Sequence, residues 1–217
     1  MKTFAMPPVL FASMVFTVAL AAPKEIAPSA ETFAQLVSSA ERGDPGVDYT
    51  LLRKSYPFTE NYAPYDINSP AFQEAWQAFT KKDCKGAVEK SATELKVDYL
   101  AIPMHFIRAD CLKQQGDEKA ASIEDAIGSG LAKSVLAGGD GNSIDTAYTI
   151  VSMREEGFIL TSRELKERGQ ALLSSNGKVC DKIDAVNPKT GEAAMVYFDV
   201  TAIFAGMARK HAADKSP

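Results

Sequence analysis

Phe72, Ala75, Trp76 and Phe79 fall at i, i+3, i+4 and i+7, which predicts a helix with one apolar face. Ser69 supplies its N-cap and Pro70 its first position. Asp83 caps a second helix striped by Ala87, Val88, Ser91, Ala92 and Leu95, whose small residues permit close approach. A third helix is expected from Asp98, with Met104, Ile107 and Cys111 on one face; Pro103 is tolerable there only near the start. Gly116-Asp117 ends it and caps a fourth, with Ala120, Ile123, Ile127 and Leu131 as its stripe. Upstream, Ser29 caps a helix bearing Phe33, Leu36, Val37 and Ala40, and Asp48 caps a short one over residues 49–54. Between these and Pro70 lies the densest aromatic stretch, with Tyr49, Tyr56, Phe58, Tyr62 and Tyr65 around Arg53, stiffened by Pro57 and Pro64.

After Leu136 the period changes. Gly138 to Asn142 forms a loop, and Thr146 to Val151 is a β-type run. Ser152 opens a helix carrying Glu155, Glu156, Phe158 and Ile159. Runs over 168–174 and 178–186 flank Asn176-Gly177, a strong hairpin signal. A strand over 193–200 and a closing helix over 203–210 finish the chain. The expected fold class is α+β, with helical hairpins over 22–137 packed on a small, mainly antiparallel sheet with a helix over 138–217.

Shifting the chain by 33 residues superposes Trp76 on Ala109, Phe79 on Leu112 and Ala87 on Ala120. This resembles the tetratricopeptide repeat, whose period is about 34 residues. About three repeats are needed to bury a continuous core, so neighbouring segments must cover the ends of these two.

The first residues place Lys2 before an apolar run, Val9 to Leu20, and a small-x-small site at Ala19-Leu20-Ala21. Residues 1–21 read as a signal peptide, and no other membrane span is expected. Its removal takes the net charge from −4 to −5, by loss of Lys2. The localisation expected is periplasmic or extracellular, where disulfides persist. In antiparallel neighbouring helices the start of the second meets the end of the third. That pairs Cys84 with Cys111 and leaves Cys180 over.

The order of segments resembles a family of secreted bacterial proteins known only as a domain of unknown function. The resemblance rests on Asp48 to Asp66 (DYTLLRKSYPFTENYAPYD), Gly139 to Tyr148, the pair Glu155-Glu156, and Tyr197 to Asp199 (YFD). Gly157 stands where that pattern has an aromatic. The resemblance implies an α+β arrangement and supplies no reaction.

The candidate chemistry is sparse. No lysine and arginine stripe points to nucleic acid. No HExxH, CxxC, Walker or nucleophile-elbow pattern occurs, so neither cofactor nor metal is expected. Asp140, Asn142 and Asp145 lack calcium-loop spacing. His105 reads as a structural histidine on a helix. Adjacent glutamates on a helix point about 100° apart, so Glu155 and Glu156 make a poor acid/base pair by themselves. The ligand or partner surface is assigned to Arg53, Tyr56, Tyr62, Tyr65, Asp140, Glu155 and Glu156. Arg53 is expected to stack on or hydrogen-bond a tyrosine of its loop, and Trp76 to anchor the first hairpin's core. The first functional reading is an exported binding or scaffold protein offering a helical surface to a peptide or protein. The rival is a carboxylate-based hydrolase built from the tyrosine loop, Arg53 and the Asp140/Glu155 region.

Overall fold

The computed structural model describes residues 26–213, except Asn176, together with Lys215; the expected signal peptide lies outside them. The helices form where their caps predict. Ser29 accepts from Thr32 N at the start of α1 (Ala30–Glu41), and Asp48 from Leu51 N at α2 (Tyr49–Ser55). A single 3-10 turn follows over Tyr56–Phe58. Ser69, Asp83 and Asp117 cap α3 (Pro70–Thr80), α4 (Cys84–Leu95) and α6 (Glu118–Leu136) in the same way.

The third helix of the tandem, α5 (Ile102–Gln114), starts four residues later than Asp98. Pro103 explains the delay. In a helix begun at Asp98 its ring would meet the carbonyl of Tyr99, and its missing N–H would leave that oxygen unpaired. The Tyr99 carbonyl accepts instead from His105 Nε2 at 2.8 Å, and Asp98 Oδ1 accepts from Leu100 N.

Each of α3 to α6 packs on the next, giving two helical hairpins in tandem. Ala75, Ala87, Ala101, Met104, Ile107 and Cys111 form a small core between α3, α4 and α5. At its edge Cys84 and Cys111 are disulfide-bonded, with Cα atoms 4.9 Å apart. Trp76 is not in this core. Ala75 occupies the face turned to α4, and Trp76, one residue on and about 100° round, is 49% exposed against Phe79. Trp76→Ala is therefore expected to cost under about 1 kcal/mol. Acrylamide should quench the fluorescence of this single tryptophan readily, and a shielded emission would contradict the placement.

The second half forms one mixed sheet in the order β1-β4-β3-β2: β1 (Tyr148–Thr149), β2 (Lys166–Ser175), β3 (Lys178–Val186) and β4 (Ala193–Asp199). The pairs β2/β3 and β3/β4 are antiparallel, and β1 pairs parallel with β4. Helix α7 (Met153–Ser162) crosses between β1 and β2, and α8 (Thr201–Ala213) closes the chain. The arrangement is α+β. The main core ignores the boundary at residue 137: Leu52, Tyr56, Ile127 and Leu131 share it with Ile159, Ile183, Val196 and Phe198. Helices α1 and α2 pack on α6 and so cover one end of the tandem.

The Gly139-Asp140-Gly141 loop is a backbone device. A Cβ on Gly139 would lie 2.4 Å from the Ala147 carbonyl oxygen, and Gly141 has φ +70°. The N–H groups of Asp140 and Gly141 both donate to Thr146 O, and Gly141 O accepts from Tyr197 N, so the loop is tied to β4.

Candidate functional site

Three successive residues of α7 point in three directions, as the helical turn of about 100° per residue requires. Arg154 reaches the helical hairpins. Its Nη2 donates to Glu94 Oε1 at 2.6 Å, its Nε lies 2.8 Å from Asp98 Oδ2, and its guanidinium sits 4.4 Å over the Phe72 ring. Ser69 Oγ donates to the other Glu94 oxygen. Burial pushes the Asp98 carboxyl up to about 6, although Arg154 and the Leu100 N–H pull the other way.

Glu155 reaches α2. Arg53 Nε and Nη2 donate to its two oxygens at 2.6 and 2.8 Å. Two further guanidinium donors go to Ser134 Oγ at 3.0 Å and Thr149 O at 2.9 Å. Glu155 Oε2 also accepts from Val151 N at 2.8 Å, while Val151 O accepts from the Tyr62 hydroxyl at 2.9 Å. The side chains of Arg53 and Glu155 are only 5% and 1% exposed. The expected stacking of Arg53 on a tyrosine gives way to this bidentate pair, because a buried guanidinium needs an anion and five acceptor positions more than a ring. Tyr62 joins the network through the backbone of Val151.

Glu156 faces the sheet. It is 6% exposed, and its Oε2 has no hydrogen-bond partner among the described residues. Burial, then the nearby Asp181 and Glu167 carboxylates, push it up to about 8. Burial also raises Asp181. Because the folded protein holds the Glu156 proton more tightly than an unfolded chain with the ordinary value of 4.5, this residue's contribution to stability falls as pH rises from about 4.5 to about 8. Glu156→Gln should therefore leave the melting temperature near unchanged at pH 5 and raise it at pH 8 to 9. Parallel wild-type and variant pH curves would contradict this.

The seven residues singled out from sequence do not make one pocket. Arg53, Glu155 and Tyr62 form the buried junction. Glu156 lies on the other side of α7, and Tyr65 is exposed beside α8. Asp140 is exposed in its loop, where hydrogen bonds from Thr146 and Asn142 hold its carboxyl below the ordinary value. Tyr56 alone of the seven lines a broad concavity on the helical side.

That concavity is a groove of about 800 Å³ between α1, the end of α4, α5 and α6. Phe33, Val37, Leu95, Ile123 and Ile127 wall it, and Tyr99, His105, Arg108 and Glu124 form a polar floor. His105 Nδ1 contacts Glu124 Oε2 at 2.7 Å, and Arg108 Nε donates to Glu124 Oε1 at 2.6 Å. With the Tyr99 carbonyl 2.8 Å from Nε2, both ring nitrogens of His105 are in contact with oxygen atoms. Burial pushes Glu124 up, but the hydrogen bond and charge of His105, with Arg108, outweigh it and hold the carboxyl below its ordinary value. The Tyr99 hydroxyl is buried without a hydrogen-bond partner among the described residues, and the carboxylates acting on it, Glu41 and Glu124, both line the groove. Sequence reasoning missed this floor. His105 and Arg108 share a helix face at i, i+3, but nothing in the sequence places Glu124 or α1 against them.

The fold and these sites define an α+β protein in which α7 locks helical hairpins to a mixed sheet beside an open groove. A family model described as a domain of unknown function (DUF4919) matches residues 29–209, and the chain belongs to that family. No curated protein and no solved structure matches it. The segments that carried the resemblance meet in space: Arg53 pairs with Glu155, Tyr197 N donates to Gly141 O, and Tyr148 stands opposite Phe198 in the parallel pair of β1 and β4.

Proposed function

We propose that this is an exported binding protein whose ligand lies in the groove between α1 and the helical hairpins. The ligand is an amphipathic molecule. Its apolar body packs on Phe33, Val37, Leu95, Ile123 and Ile127, and its hydrogen-bond-accepting head meets the Tyr99 hydroxyl and Arg108. The observation that carries the reading is the Tyr99 hydroxyl, buried without a hydrogen-bond partner among the described residues, on a side chain that lines a groove within the roughly 300–1,000 Å³ range of ligand pockets. A buried hydroxyl without a partner is costly, and a ligand acceptor would relieve it. The apolar signal-like run before Ala21 and the Cys84–Cys111 pair support export. Mass spectrometry of the protein from its own envelope fraction should find a chain beginning at Ala22; an intact Met1 there would refute cleavage after Ala21, and recovery of the protein from the cytoplasmic fraction alone would refute export.

Binding is tested with anilinonaphthalene sulfonate, which joins an apolar ring system to an acceptor head. A saturable site is expected. Ala34→Trp, which fills the groove, should abolish it, and Tyr99→Phe should weaken it about 10-fold, the loss of one buried hydrogen bond. Unchanged binding by Ala34→Trp would sink the assignment. A hydrolase would need Arg53 and Glu155 free to meet a substrate, whereas their charged groups are committed to each other.

A further inference from the structure

β2 is one of the two outer strands of the sheet, with β3 on one side only. Among the described residues, no other segment's backbone bonds to it. Its two ends differ. Lys166, Glu167 and Arg168 are charged, and the register with β3 shifts between Glu167 and Gly169. Charges and a bulge are the usual devices that blunt an open edge. From Gly169 to Ser175 the strand is regular and carries no charge or proline.

The register fixes which backbone groups are free. Ser175 pairs with Lys178 across positions 176–177, so that pair is the hydrogen-bonded one of a two-residue hairpin. Alternation along the antiparallel ladder then turns the N–H and C=O groups of Gln170, Leu172 and Ser174 outward. Leu172 is 57% exposed. Beside it lies a hollow of about 340 Å³ with Tyr65 and Phe204 in its walls, both also exposed.

We propose that the outer edge of β2 is a self-association surface, at which a second copy of this chain adds its own β2 antiparallel about a two-fold axis at Leu172. That register sets Gln170 against the partner's Ser174 and Leu172 against the partner's Leu172. Every outward-turned backbone group meets another. Opposed residues lie on the same face of an antiparallel pair, so the two leucines pack together next to Tyr65 and Phe204. The neutral stretches of the two copies overlap, and the charges at 166–168 fall outside the overlap. The resulting interface is isologous and closes at two copies.

Sedimentation of the purified protein across the micromolar range should show a monomer–dimer equilibrium. Amide exchange at Gln170, Leu172 and Ser174 should slow as the dimer fills. Leu172→Lys and Leu172→Glu should each be monomeric over that range, since each sets like charges at the axis, and an equal mixture of the two should regain the dimer. Circular dichroism checks that each variant is folded. A wild type that stays monomeric, with exchange at those amides independent of concentration, overturns the proposal; so does a Leu172→Lys protein that dimerises like the wild type. The groove on the helical side is untouched by these variants, so its binding of the anilinonaphthalene probe is judged separately.

Discussion

Glu155→Ala is expected to destabilise the protein by about 3–5 kcal/mol. The substitution leaves the Arg53 guanidinium buried at the junction of α2, α6, β1 and α7 with its bidentate anion gone and only Ser134 Oγ and Thr149 O to accept from it. It also strips Val151 N of its acceptor, and Val151 is the residue whose carbonyl holds the Tyr62 hydroxyl. Removing one member of a buried pair is costlier than removing both. Arg53→Met combined with Glu155→Leu should therefore lose clearly less than Glu155→Ala alone. Urea unfolding followed by circular dichroism measures all three; the tryptophan is a poor reporter because Trp76 is half-exposed in the folded state. A single-variant loss below about 1 kcal/mol would mean that water or a neighbouring group compensates Arg53, and the junction would lose its claim to be the keystone of the fold. Domain stabilities are only about 5–15 kcal/mol, so the expected loss is a large fraction of the whole.

The second large effect is expected at Cys84 and Cys111. Their bond spans a sequence separation of 27 and joins the first residue of α4 to the C-terminal half of α5. Replacing both with serine should cost about 3–4 kcal/mol, chiefly by restoring freedom to the unfolded chain. The loss should appear in the α3–α5 core, which is small and draws on Ala75, Ala87 and Ala101 for much of its contact. Peptide mapping without reduction should recover the two cysteine peptides linked, with Cys180, buried on β3, as the one unreacted thiol until the protein is unfolded. A map joining Cys180 to either partner would contradict the packing of α4 on α5.

Local signals in the sequence determined most of the elements. Ser29, Asp48, Ser69, Asp83 and Asp117 each accept from the backbone of the helix they begin, because capping is settled within four residues. The hairpin of β2 and β3, the strand over β4 and the pairing of Cys84 with Cys111 are legible for the same reason: a turn or a helix order between neighbours specifies each. Segment order was enough to suggest the family, whose model spans most of the chain.

What only the tertiary structure decided is which face of each element is covered, and by what. Trp76 and Ala75 are neighbours on one helix, and the position of α4 chose Ala75 for the core. Arg53 sits among tyrosines in sequence, yet Glu155, 102 positions away, holds it. Glu155 and Glu156 look equivalent in the chain, but one turn step sends the first to a cation and the second to other carboxylates under the sheet. The groove floor joins His105 and Arg108 of α5 to Glu124 of α6, with α1 as its far wall. Charge pairing and burial depend on distances between segments that are remote in the chain. Periodicity and capping report only on neighbours within a few residues, so they specify the elements and leave the partners of each face to the packing.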